Sequence, residues 1–153
     1  MTNLADRPLK ADPSLFDTEE KLRKGNFLRG ESRQLSLLLE DDMATVNNID
    51  LDIEFVTNEM DRLYREAVKG FGDSMIVDGK YEVTVREDRG KLVCPWGDKF
   101  FAPKTMVYAR NIKSGKSINY SILAMHMIRN HCFFQGSGSP FRIEPLALKE
   151  FFA

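Results

Sequence analysis

The chain is poor in residues that staple or coordinate: its 153 residues contain only two cysteines, two histidines and one tryptophan. Two cysteines cannot supply the disulfide framework of a small secreted fold. No apolar run approaches the ~20 residues that span a bilayer, so no membrane partner is expected. The opening segment, MTNLADRPLKADPSLF, lacks the apolar stretch of a secretory signal. With so few cysteines, that points to a reducing, cytoplasmic setting. Glycine and proline number 10 and 6, too few for collagen-like or low-complexity chains. Complete catalytic and nucleotide-binding motifs are missing too. Gly136-Ser137-Gly138-Ser139 has neither the Lys-Ser/Thr ending of a P-loop nor a βαβ frame, and reads as the end of a helix and a turn.

What is present suits a globular protein: 42% hydrophobic and 29% charged residues, in a length that fits one domain over 1–153. The net charge of −1 hides an asymmetry. Between Glu31 and Asp61 nine acids face the single base Arg33, whereas between Lys91 and Arg142 eight bases face the single acid Asp98. Such a split is either two solvated faces or a basic half that meets an anionic partner, nucleic acid or protein.

Residues 15–70 read as helices. Asp17 or Thr18 is placed to cap a short helix ending near Gly25, with the stretch before Ser14 loose. Leu35, Leu39, Asp42, Val46, Ile49, Ile53, Val56, Met60, Leu63 and Ala67 then recur at steps of four and three. This is an apolar stripe with one flaw, Asp42, and Gly70 is its natural stop. The weak helix formers Ala44 to Asn48 suggest a break, giving helices over 31–43 and 49–69. The stripe is a core face or, alternatively, a homodimer seam through residues 31–69. Asp50 and Glu54 lie one turn apart, but this half has no histidine to complete a helical metal site.

Residues 74–153 read as a sheet followed by helices. Asp78-Gly79 is a two-residue hairpin turn between Ser74–Val77 and Lys80–Val85. Glu87 to Gly90 suggests a second turn, Lys91–Cys94 a further strand, and 105–109 with 118–121 another hairpin. Ser121 can cap a helix carrying Ile122, Met125, Ile128 and Cys132, and Pro145 opens a last helix over 146–152. The predicted class is α+β: an N-terminal helical segment packed on a four- to five-stranded antiparallel sheet, with two C-terminal helices.

All the histidine and cysteine of the chain lies in Cys94, His126, His131 and Cys132. Zinc favours thiolate and imidazole, and a hairpin cysteine opposed to a helical His-x4-His is the arrangement of a ββα finger. The second cysteine of such a finger is absent here, and the region after Cys94 offers only Gly97 and Asp98. The candidate zinc ligands are therefore Cys94, Asp98, His126, His131 and Cys132. The alternatives are buried structural residues, or a Cys–His nucleophile oriented by Asn130 or Asp98. Candidate anion contacts are Lys99, Lys104, Arg110, Lys113, Lys116, Arg129 and Arg142, among aromatic rings that alternation assigns mostly to the core. The expected function is a small non-enzymatic binding or regulatory protein whose basic half contacts an anion. The alternative is an enzyme or zinc site built on Cys94, His126 and His131.

Overall fold

The computed structural model describes residues 13–153; the stretch expected to be loose lies mostly outside them. Three helices come first: α1 (Pro13–Lys24), α2 (Leu35–Asn48) and α3 (Ile53–Ala67), the last running into a 3-10 turn, Val68–Gly70. Four strands follow, β1 (Met75–Val77), β2 (Tyr81–Val93), β3 (Phe101–Asn111) and β4 (Ser117–Ser121). The chain closes with α4 (Ile122–His131) and α5 (Pro145–Phe151). The class is α+β with an antiparallel sheet in the order β1-β2-β3-β4. The N-terminal part is three separate helices rather than one segment.

Local chemistry explains where the elements begin. The break between α2 and α3 falls at residues 49–52, not at the Ala44–Asn48 stretch, which stays helical because Met43 and Val46 are buried. Asp50 turns the chain with a φ of 54°, and the Asp52 side chain caps α3 by accepting from the Phe55 amide at 3.0 Å. Asp17 and Thr18, expected at a cap, lie inside α1, which starts earlier. The Leu35 amide at the start of α2 is instead satisfied by Glu19 of α1. Ser121 caps α4 as its sequence suggests, accepting from the Ala124 amide at 2.9 Å.

Asp78 and Gly79 both have positive φ, as a tight hairpin turn requires. Glu87–Gly90, however, is not a turn. It is an irregularity inside one 13-residue strand: pairing with β3 is interrupted between Glu87 and Lys91 and then resumes through Lys91, Leu92 and Val93. The segment expected to be a separate third strand is thus the far half of β2. That extension carries the β2–β3 connection well past β1 and ends it beside α4.

One face of the sheet is buried. Tyr81, Val83 and Val85 of β2, Val107 and Ala109 of β3, and Ile118 and Tyr120 of β4 join α2–α5 in one apolar core. α3 packs on β1 and β2, and α4 on β3. The Tyr120 hydroxyl, fully buried, donates to the Met60 carbonyl at 2.7 Å and ties β4 to α3. The stripe residues of α2 and α3 are buried within the chain itself. Two loops meet backbone to backbone: a Cβ on Gly138 would stand 2.6 Å from the Arg29 carbonyl oxygen and 2.8 Å from Gly30 Cα. Only glycine permits that approach.

Candidate metal centre

Residues 94–100 connect β2 to β3 and form a tight knuckle. The Cys94 amide donates to the Phe100 carbonyl at 3.0 Å, and the Gly97 amide to the Cys94 carbonyl at 3.1 Å. Gly97 has a φ of 73°, the left-handed conformation this reversal needs. The Phe100 amide in turn donates to Asp98 Oδ1 at 3.1 Å, leaving Oδ2 to face α4. The knuckle thereby aims the Cys94 thiol and the Asp98 carboxylate at the same helix.

α4 answers with His126 and His131. Their Nε2 atoms lie 2.7 and 2.8 Å from Asp98 Oδ2, and His131 Nε2 is 3.6 Å from Cys94 Sγ. One donor atom from each of these four residues lies within 4.8 Å of the others. A carboxylate oxygen only accepts, so without a metal each imidazole donates its Nε2 proton to Asp98. Asn130, one turn after His126, places Nδ2 3.0 Å from His126 Nδ1 and 3.1 Å from the His126 carbonyl. Both rings are also gripped from one side by the knuckle. Trp96 stacks on His131 at 4.4 Å with 5° between planes, and Phe100 on His126 at 3.7 Å and 3°.

The electrostatics follow from burial and these contacts. Burial alone would raise the Asp98 carboxyl. Hydrogen bonds from His131, the Phe100 amide, His126 and Cys94 outweigh it and hold the group below the usual carboxylate range. Burial pushes the Cys94 thiol up to about 11; the Trp96 amide opposes the rise and Asp98 adds to it. A thiol so placed is a poor nucleophile on its own, because reactivity needs the thiolate. A bound cation reverses that logic and deprotonates the sulfur outright.

The dimensions suit a small four-coordinate ion. Zinc bonds of about 2.0–2.3 Å in a tetrahedron put neighbouring donors roughly 3.3–3.7 Å apart. The Cys94–His131 separation already falls in that range, and the two Asp98–histidine separations have to open by about half an ångström. Cys132 stands apart. It is buried, ends α4 with a φ of 50°, and is not one of the converging donors.

The basic candidates are scattered and most have acidic or amide neighbours. Arg142 is paired with Asp42 and Glu144, Arg110 lies 3.7 Å from Glu82, and Lys116 meets Glu150. Arg129 contacts Thr57 and Asn58 of α3. Lys99, Lys104 and Lys113 are exposed. Sequence reasoning missed the stacking roles of Trp96 and Phe100. The signal lay in the spacing, since both sit within two residues of Asp98 in the loop that also carries Cys94. Comparison with protein-family models, curated proteins and solved structures found no match to this chain.

Proposed function

We propose that the protein is a non-enzymatic zinc-binding protein. The ion, held by Cys94, Asp98, His126 and His131, clamps the β2–β3 knuckle to α4. The observation that carries this reading is the convergence of one sulfur, one carboxylate and two imidazole donors within 4.8 Å. Thiolate together with imidazole favours zinc over the hard cations. Four side-chain donors from two elements make a closed set, the pattern of a structural rather than a catalytic site. The buried, proton-bearing Cys94 thiol argues in the same direction against a Cys–His nucleophile. On this reading the basic C-terminal half serves as a surface for an anionic partner, and the helical half supports it.

Elemental analysis of protein purified without a histidine tag tests the metal. About one equivalent of zinc is expected, with a chelator lowering the melting temperature and zinc restoring it. Cobalt substitution should give the visible bands of a tetrahedral site with a sulfur charge-transfer band, and Cys94→Ser should remove that band. Trace zinc and a melting temperature indifferent to both chelator and added metal would refute the site.

A further inference from the structure

Strand β2 has one edge that its neighbour covers only in part. In an antiparallel strand the main-chain groups of successive residues turn alternately to the two sides. The Ile112 amide donates to the Lys80 carbonyl at 2.8 Å, so the even-numbered residues at this end of β2 turn to β3. The odd-numbered residues turn the other way, where Tyr81 and Val83 face Val77 and Met75 of β1. The alternation runs unbroken to Glu87, because the register shifts only between Glu87 and Lys91. Val85 and Glu87 therefore present their N–H and C=O groups on the β1 side, past the first residue of β1. None of these four groups has a hydrogen-bond partner among the described residues.

The chain ahead of β1 swings away from this edge instead of covering it. Phe71 and Gly72 have positive φ, 52° and 95°, and the Asp73 amide donates back to the Gly70 carbonyl at 3.0 Å. Between that turn and β2 lies a groove of about 720 Å³. Val68, Phe71 and Gly72 line one side of it, and residues 84–87 of β2 with Tyr108 line the other. Val68 is half-buried against the core, and Phe71 is 96% exposed. Arg86 is engaged by Asp88 at 3.7 Å, whereas Glu87 has no ion-pair partner among the described residues.

We infer that this edge takes up an extended segment of another protein as an added strand, antiparallel to β2 and in line with β1. An extended backbone meets the N–H and C=O groups of Val85 and Glu87 with four hydrogen bonds, and its alternate side chains give the selectivity. Cross-strand partners share a face, which fixes those side chains. The residue opposite Val85 enters the core side against Val68, so it is apolar. The residue opposite Glu87 shares the face of the unpaired carboxylate, so it is Lys or Arg. The residue between them projects on the outer side with Arg86 and is free to vary. Along the incoming strand the recognised pattern is thus basic, any, apolar. A second copy of the same edge is a poorer match. Antiparallel pairing about Arg86 would set that cation against its own copy, and like charges directly opposite are destabilising. The inference is independent of both the metal and the anion surface.

NMR titration of the full chain with the blocked peptide acetyl-Ser-Lys-Thr-Val-Ser-amide tests it. The amide signals of Val85 and Glu87 should shift together and saturate. N-methylation of the peptide valine removes the donor to the Val85 carbonyl and should weaken binding about fivefold or more. N-methylation of the peptide threonine, whose N–H points away from β2, should leave binding unchanged. Glu87→Pro deletes a donor that β3 does not use, so it should weaken binding about tenfold with little change in melting temperature. Glu87→Lys should weaken the lysine peptide about fivefold and favour an analogue with glutamate in its place. Absence of a saturable shift would overturn the inference, as would equal binding by the two N-methylated peptides. Self-association in analytical ultracentrifugation that Glu87→Pro removes would give the edge to a second copy and overturn the added peptide strand.

Discussion

Arg142 and Asp42, 100 residues apart, form a two-pronged ion pair inside the protein: the two guanidinium nitrogens lie 3.0 and 2.8 Å from the two carboxylate oxygens. Their side chains are 9% and 6% exposed. The same guanidinium donates to the Gln135 carbonyl at 2.7 Å and to Glu144 at 2.7 Å. The one acid in the apolar stripe of α2 is therefore the internal partner of the segment between α4 and α5.

Breaking this pair from one side should be severe. Arg142→Met leaves Asp42 charged and buried, and is expected to cost about 3–5 kcal/mol in urea unfolding. The double variant Asp42→Leu/Arg142→Met, which removes both charges, should recover most of that loss. Equal destabilisation of the single and double variants would show that the pair has no such role.

Glu31 gives a pH signature. The Arg33 side chain chiefly lowers its pKa; burial opposes this, while the Arg33 and Ser137 amides assist, and the carboxyl ends at about 2. A depressed folded pKa contributes stability above the unfolded value of 4.5, and that stability fades as pH falls towards 2. The melting temperature of the wild type should drop more steeply over this window than that of Glu31→Gln. Parallel curves would contradict it.

Asn130 is predicted to act through His126. A metal on Nε2 requires the proton on Nδ1, and the reversed Asn130 amide can accept it through Oδ1. Asn130→Ala should keep the fold and weaken zinc about tenfold or more in competition with a chromophoric chelator. Unchanged affinity would reduce Asn130 to a helix-surface residue.

Tyr120→Phe tests the strand-to-helix tie. Loss of the hydroxyl leaves the buried Met60 carbonyl without its side-chain donor, at a cost of about 1 kcal/mol by denaturant titration. Gly138→Ala should cost more, because its Cβ would meet backbone rather than a yielding side chain. A neutral Gly138→Ala would mean that the two loops can part freely.

The fold class, the Asp78-Gly79 hairpin, the Ser121 cap and the Pro145 helix start were legible because each depends on neighbouring residues. The α2–α3 break was not, since burial of Met43 and Val46 overrides the weak propensity of the residues around them. The irregularity at Glu87–Gly90 looked like a turn because glycine and charge serve both structures, and only pairing with β3 distinguishes them. At the candidate site, the residue types and the His-x4-His spacing on one helix were readable. That Asp98 rather than Cys132 completes the convergence depends on the knuckle and on the left-handed end of α4, both set by tertiary contacts. The outward placement of Tyr108 was hidden by its sharing a strand face with Met106, because both stand on the open side.

The stack of Trp96 on His131 makes the molecule its own indicator. Trp96 is the sole indole in the chain, so every photon of tryptophan emission originates 4.4 Å from a ring that would gain or lose a cation. Zinc entering or leaving the proposed centre would change the charge seen by that excited state, with no second indole to dilute the signal. Occupancy can then be followed in unlabelled protein at low concentration, and the same light reports whether the knuckle stays closed as the solution is acidified.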